Sequence, residues 1–154
     1  MARYNAWQNR SMLAAAETLE PEAREADLGA FFGSIRATLS HLLWADRMWM
    51  SRLSDWERPA GGIADSPSHE TDWARLREAR AAADEGIVSW ADGAGALDGP
   101  LSWWSGAAGR EVTRPRGLCA LHMFNHQTHH RGQVHAMLTA AGARPGDTDL
   151  FLMP

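Results

Sequence analysis

The chain has 154 residues, of which 45% are apolar, and its formal net charge of -4 gives a pI near 5.9. This length fits one domain over residues 1–154, and the acidic balance excludes an ordinary nucleic-acid partner, because such proteins need clustered cations. A single cysteine, Cys119, excludes an internal disulfide, and the absence of a signal-like leader or a run of about 18 apolar residues predicts a soluble, cytoplasmic protein with no membrane partner.

Helical spacing of apolar residues and local stop signals predict four helices. In chain order, these cover residues 2–19, 28–53, 68–92 and 116–141. Ser34 can cap the second helix, and Asp84 is expected on the solvent side of the third. A Gly106–Gly109 turn between residues 101–104 and 111–113 predicts a short hairpin before the fourth helix. Four helices joined by loops of moderate length favour an all-α bundle.

The fourth predicted helix carries four of the seven histidines. At about 100° per residue, His122, His126 and His130 fall on one stripe about 80° wide. A polar stripe is usually the solvated face of a helix. Here Arg131 is the only permanently charged residue after the first position, Arg116, so the helix lacks a charged outer face. We therefore expect the histidine stripe to point into the bundle, where polar groups need partners.

Two histidines spaced four residues apart on a helix can bind one cation together. They lie about 6 Å apart along the axis and on the same face, as in helical zinc-protease motifs. The stripe offers two such pairs, His122 with His126 and His126 with His130. All three cannot easily serve one ion, because the outer two are about 12 Å apart axially whereas zinc–nitrogen bonds are about 2 Å long. Spacing alone does not choose the pair.

A third ligand must come from another helix, and His41 is the candidate. The second helix has a polar stripe of its own, formed by Arg36, Ser40, Arg47 and Ser51. His41 lies about 110° around the helix from the centre of that stripe, beside Ala45 and Met48, and is expected to face inward. A lone inward histidine is usually a core residue, but an inward pair on the fourth helix favours a ligand. Three neutral imidazoles would hold one divalent ion and leave a position open. We expect zinc or nickel. Iron and manganese remain alternatives, because the softness of imidazole ligands does not separate these ions.

At these residues, the sequence resembles the DinB family of metal-binding helical bundles. The similarity is carried by HLLWADRMW at residues 41–49 and above all by NHQTHHRGQ at residues 125–133. Weaker similarity occurs at residues 4–7 and 149–152. The histidine on the second helix together with the His-x-x-x-His-Arg-Gly-Gln block is the specific part of this pattern.

The resemblance implies an up-down-down-up four-helix bundle, often assembled as a homodimer. It also implies that the metal ligands are His41, His126 and His130, which selects the later pair on the fourth helix. The remaining polar residues near this pair are candidates for orienting a substrate in a pocket: His122, Asn125 and Gln133.

An open metal position favours catalysis, and related bundles include metal-dependent thiol transferases and a mycothiol-dependent isomerase. We therefore expect a metal-dependent transferase or hydrolase that acts on a small molecule through a thiol cofactor or a water molecule activated by the metal. The sequence leaves two alternatives open. One is a non-catalytic bundle in which the metal ties two helices together, and the other is a stress-response binding module.

Overall fold

Five α-helices and one two-stranded sheet follow one another in the computed structural model, which describes residues 1–154. The helices are α1 (Ala2–Glu17), α2 (Pro21–Glu25), α3 (Ile35–Leu53), α4 (Trp73–Gly93) and α5 (Arg116–Ala140). The strands are β1 (Pro100–Ser105) and β2 (Arg110–Pro115), and single 3₁₀ turns lie at Ser66–Ser68 and Leu150–Leu152. The fold is thus mostly helical, with the expected hairpin before the last long helix.

The four long helices pack as a ring of neighbours: α1 against α4, α4 against α3, α3 against α5, and α5 against α1. Their largest apolar core draws on all four, and its biggest aliphatic members are Leu13, Ile35, Leu39, Leu42, Leu43, Leu76, Val134 and Leu138. Burying each such side chain contributes about 1.5–3 kcal/mol, so this core, more than helix propensity, holds the helices together. None of the helices combines the length and the hydrophobicity that a membrane span requires.

Helix α3 begins later than the sequence pattern predicted, at Ile35. Gly29 and Gly33 both have a φ of 77°, which lies outside the right-handed helical region. A continuous helix therefore cannot run from Gly29 to Gly33. As predicted, Ser34 caps the helix, because its side chain accepts a hydrogen bond from the backbone N–H of Ala37 at 3.1 Å.

The loop over residues 54–72 is fixed to the side of α3. The Ser40 hydroxyl donates to the carbonyl oxygen of Ser66 and accepts from the backbone N–H of Glu70, both at 3.0 Å. These bonds hold the 3₁₀ turn at Ser66–Ser68 against α3, and α4 starts only after it, at Trp73. The loop thereby places Ser66 in the protein interior, where it is fully buried.

The hairpin covers one end of the groove between α3 and α5. Its strands pair in antiparallel register, with Trp103 opposite Val112. Trp103 points inward and packs edge-on against Trp49 of α3, with 5.4 Å between ring centroids. The next residue, Trp104, alternates to the outside and is 64% exposed. The hairpin therefore adds an aromatic wall to this end of the groove.

Helix α4 contributes charged side chains to the core, which corrects the expectation that Asp84 faces solvent. Asp84 is 5% exposed, and its Oδ1 lies 2.9 Å from Nη2 of Arg80, one turn earlier. Arg80 also reaches across to α3, where its Nη1 lies 2.7 Å from Oδ2 of Asp46. Asn9 of α1 and Gln127 of α5 donate to these two carboxylates. The fold tolerates these buried charges because each of them has an opposite charge or a hydrogen-bond partner beside it.

Candidate metal centre

Three histidines from two helices converge between α3 and α5. One ring nitrogen from each of His41, His126 and His130 lies within 4.8 Å of the others. Nε2 of His41 is 3.3 Å from Nε2 of His126, and the ring centroid of His130 is 4.8 Å from that of His41 and 4.5 Å from that of His126. The packing of α3 against α5 therefore assembles a compact, all-imidazole cluster.

His122, the other candidate partner of His126, lies outside this cluster. Its ring centroid is 5.8 Å from that of His126, and it packs edge-on against Trp49 at 5.0 Å. The side chain is exposed towards a pocket rather than held between the helices. Helix packing thus brings together the later of the two histidine pairs with His41.

A hydrogen bond from the loop fixes the tautomer of His41. Nδ1 of His41 lies 2.7 Å from Oγ of Ser66, and the single hydroxyl proton of Ser66 goes to the carbonyl oxygen of Ile63 at 2.6 Å. Ser66 must therefore accept, so Nδ1 of His41 carries the ring proton. Nε2 of His41 is left with a free lone pair that faces His126.

Gln133 fixes the tautomer of His130 in the same way. Oε1 of Gln133 lies 2.9 Å from Nδ1 of His130, while its Nε2 donates to Nε2 of His129 at 3.2 Å. Because the amide oxygen can only accept, Nδ1 of His130 carries the proton and Nε2 offers a lone pair. Metal-binding histidines in proteins are usually oriented by such a bond from the other ring nitrogen.

Burial keeps the cluster neutral. Desolvation, followed by the proximity of His126 and His130, lowers the pKa of His41 from its ordinary 6.5 to about 3. Desolvation, again aided by neighbouring histidines, lowers the pKa of His126 to about 4 and also depresses that of His130. The Phe32 ring covers His41, with 4.0 Å between ring centroids, and adds to the desolvation. Neutral imidazoles are the form that binds metal.

These residues fit a divalent ion. In a tetrahedral zinc site, bonds of about 2.0–2.1 Å place the ligand nitrogens roughly 3.3–3.4 Å apart. The distance of 3.3 Å between Nε2 of His41 and Nε2 of His126 agrees with this spacing. Two nitrogen lone pairs at such a short distance repel each other unless a cation or a proton lies between them. The group contains no carboxylate or thiol, so its donor set suits zinc, nickel, copper or iron more than calcium or magnesium.

The cluster lies in the wall of a pocket of about 980 Å³ in the groove between α3 and α5. Of the three expected substrate-orienting residues, His122 and Gln133 line this pocket, whereas Asn125 is exposed and does not. Cys119 also lines it, and burial raises the pKa of its thiol. Half of the lining residues are hydrophobic, which is typical of small-molecule pockets.

Sequence reasoning missed two residues that shape the cluster, Ser66 and Phe32. Ser66 lies 25 positions from His41 in a loop, and no periodic pattern connects the two. Phe32 precedes α3 in the turn that Gly33 allows, so it could not be placed by helical spacing. The only available signal was the Ser66-Pro67 pair, which indicates a turn without indicating what the turn contacts.

Comparison with known proteins identifies the family of this chain. The sequence model of the DinB family matches residues 1–154. Over 157 aligned positions, the chain is 27% identical to Protein DinB of Bacillus subtilis (strain 168), an alignment that covers 97% of this chain and 88% of that protein. No solved structure matches the chain. Because the family match runs from the first residue to the last and takes in all three clustered histidines, the chain belongs to the DinB family.

Proposed function

We propose that this protein is a metal-dependent transferase or hydrolase whose divalent ion, zinc or nickel, is held by His41, His126 and His130. The observation that carries the proposal is the arrangement of these neutral imidazoles in the wall of a large pocket. When bound, the ion would supply Lewis acidity that lowers the pKa of a thiol or water in its open position.

The protein's own groups would prepare this position. Ser66 and Gln133 hold Nε2 of His41 and of His130 towards the centre. Phe32 and Trp44 both pack near His41, with ring centroids at 4.0 and 6.2 Å from that of the imidazole, and limit the access of bulk water. Rigid donors and a dry wall are what a site needs to bind an ion without reorganisation.

His122 is placed to move a proton. It faces the pocket next to His126, where partial desolvation by the pocket walls and the charge of Arg52 lower its pKa and favour the neutral ring. A neutral ring nitrogen can accept the proton of a thiol or water held in the pocket and return it to a leaving group. Gln133 has its amide committed to His129 and His130, so we assign it to orientation of the ligands.

Cobalt substitution tests this proposal. The metal-free protein is loaded with Co²⁺, and its visible spectrum is recorded before and after addition of a small thiol such as 2-mercaptoethanol. We expect a thiolate-to-cobalt absorption band, and catalysis of thiol addition to an electrophile or of ester hydrolysis that His122→Ala reduces. An unchanged spectrum, together with no turnover in either assay, would indicate a closed structural site and overturn the proposal.

We propose further that the protein forms a homodimer through the outer face of α5 and that its helices follow the up-down-down-up order. The exposed residues of that face carry no charge, and they include Leu118 and Leu121, which are 51% and 62% exposed. A Cβ added at Gly132 would meet no atom of the same chain within 4 Å, so this glycine is not explained by packing within the bundle. Light scattering tests the dimer, and Gly132→Glu should give a monomer, whereas Ala82→Glu on the exposed side of α4 should not.

A further inference from the structure

The pocket is positively charged although the chain as a whole is acidic. The chain has 19 acidic and 15 basic residues, yet no aspartate or glutamate lines the pocket. Three arginines do line it: Arg52, Arg58 and Arg114. None of them takes part in any of the chain's ion pairs. An unbalanced cluster of cations in a cavity with low-dielectric walls attracts anions.

Arg52 is the most firmly placed of the three. Its guanidinium lies over the ring of Trp49, 4.5 Å from the centroid, and 5.4 Å from the centroid of Trp103. These cation–π contacts hold the planar group in one orientation without using its N–H donors. Burial and the neighbouring charge of Arg58 lower the pKa of Arg52 to about 10, so it remains a cation at pH 7. Arg52 thus offers a fixed, charged and unpaired hydrogen-bonding fork.

The fork and the histidine cluster lie at opposite ends of one groove. Arg52 follows His41 by 11 residues on α3, which is about three helical turns, nearly the same face and about 16 Å along the axis. Ala45 and Met48 lie between them on this face and line the pocket floor. A ligand that contacts both ends must therefore be elongated, and its middle part must suit an apolar floor.

We propose that the pocket binds an elongated organic anion, with a carboxylate or phosphate group on Arg52, an apolar body along the groove and its other end at the histidine cluster. This inference rests on the proposed function in taking the pocket as the substrate site, but the anion preference itself does not need the metal. Arg58 and Arg114, both exposed at the rim, would add to the attraction without fixing the anion. A guanidinium group forms the same two parallel hydrogen bonds with a carboxylate as with a phosphate, so Arg52 can bind either group.

Matched probes of one shape test this inference: 2-naphthylacetate, 2-naphthylmethylphosphonate and the neutral 2-naphthylacetamide. Binding to the full chain is measured by calorimetry, both as purified and in the presence of a chelator. We expect either anion to bind about tenfold or more tightly than the amide in both states, since a charge-assisted pair is worth at least one decade of affinity. The stronger of the two anions identifies the group that Arg52 prefers. Equal affinity for anions and amide would overturn the inference.

Two variants locate the effect. Arg52→Gln should remove most of the preference for anions, leaving at most the part of about threefold that the rim arginines supply, and should leave the affinity for the amide unchanged. Arg144→Gln, which changes an exposed arginine outside the pocket, should alter neither affinity. If Arg52→Gln does not fold, the Arg58→Gln, Arg114→Gln double variant replaces it, and about a threefold loss of the preference is expected because steering charges are removed. An anion preference that Arg52→Gln leaves undiminished contradicts the inference. Metal binding without anion preference would remove this inference alone, and anion preference without metal binding would remove only the proposed function.

Discussion

The hydroxyl oxygen of Ser66 accepts a hydrogen bond from the Nδ1–H of His41 across 2.7 Å, although the two residues lie 25 positions apart in the sequence. This contact decides which nitrogen of His41 faces the other histidines. Since Ser66 lies in the loop between α3 and α4, the candidate metal centre depends on that loop as well as on the two helices that carry its ligands.

The first prediction follows from this contact. Ser66→Ala should weaken zinc binding by about 10- to 100-fold, because loss of the orienting acceptor frees the tautomer and the ring rotation of His41. The measurement is competition with a chromophoric chelator, with circular dichroism as a check on folding. Ser68→Ala, an exposed serine of the same turn, serves as the control. Equal zinc affinities for the two variants would show that Ser66 does not orient the ligand.

A second prediction separates ligand from neighbour. His130→Ala should lose most of its metal affinity because it removes a donor from the cluster, and His122→Ala should retain the metal because His122 packs on Trp49 instead. Metal content after dialysis distinguishes the two variants. His126→Ala is expected to be metal-free in either arrangement and serves as a reference. A metal-free His122→Ala together with a metal-loaded His130→Ala would place the site one turn earlier on α5.

The third prediction concerns acid and the metal-free protein. The pKa of His41 is about 3 and that of His126 about 4 when folded, against 6.5 for an ordinary histidine. The unfolded state therefore binds more protons below about pH 6.5, so the free energy of unfolding should fall as the pH falls from there towards 4. Between pH 7 and pH 5 the loss should be about 2 kcal/mol for His41 alone.

Urea unfolding at pH 7 and pH 5, with a chelator present, measures this loss. His126→Gln should make the free energy of unfolding less dependent on pH, whereas His135→Gln, outside the cluster, should leave the dependence as it is. A free energy of unfolding that is flat or higher at pH 5 would mean that the imidazoles are not held neutral by burial.

A fourth prediction concerns the buried charges. Arg80→Met should destabilise the fold by about 3–5 kcal/mol, because it leaves the buried carboxylates of Asp46 and Asp84 without their cation. Arg77 forms an ion pair with Glu17 at the surface, where the Arg77 side chain is 45% exposed. Arg77→Met should therefore lower the free energy of unfolding by only about 0–1 kcal/mol. Urea unfolding of both variants makes the comparison. Similar losses for the two would show that the Arg80 network contributes no more than a surface pair.

Local pattern was enough to predict the long helices, the hairpin and the cap at Ser34, because each depends on neighbours in sequence. It failed where the chain makes a tight turn: nothing in the apolar spacing showed that Gly29 and Gly33 would adopt positive φ and delay α3. It also misplaced Asp84, because the spacing of a buried i,i+4 ion pair with Arg80 is the same as that of an exposed one.

The site was predictable in part. Angular position on the helices indicated that His41 and His126 face inward, but it left His122 and His130 as equal partners. The family resemblance selected His130, and the structure brings that residue to the other two. The bond from Ser66 could not be predicted, since a contact between a loop and a helix leaves no period in the sequence.

Metal analysis of protein purified without a histidine tag tests the central claim most directly. Inductively coupled plasma mass spectrometry on the dialysed protein should find one divalent ion per chain, zinc or nickel before others. The His41→Ala, His126→Ala double variant, prepared in parallel, should contain none. A purified protein that never holds more than a trace of any divalent transition metal, even after incubation with zinc and nickel, would contradict the account.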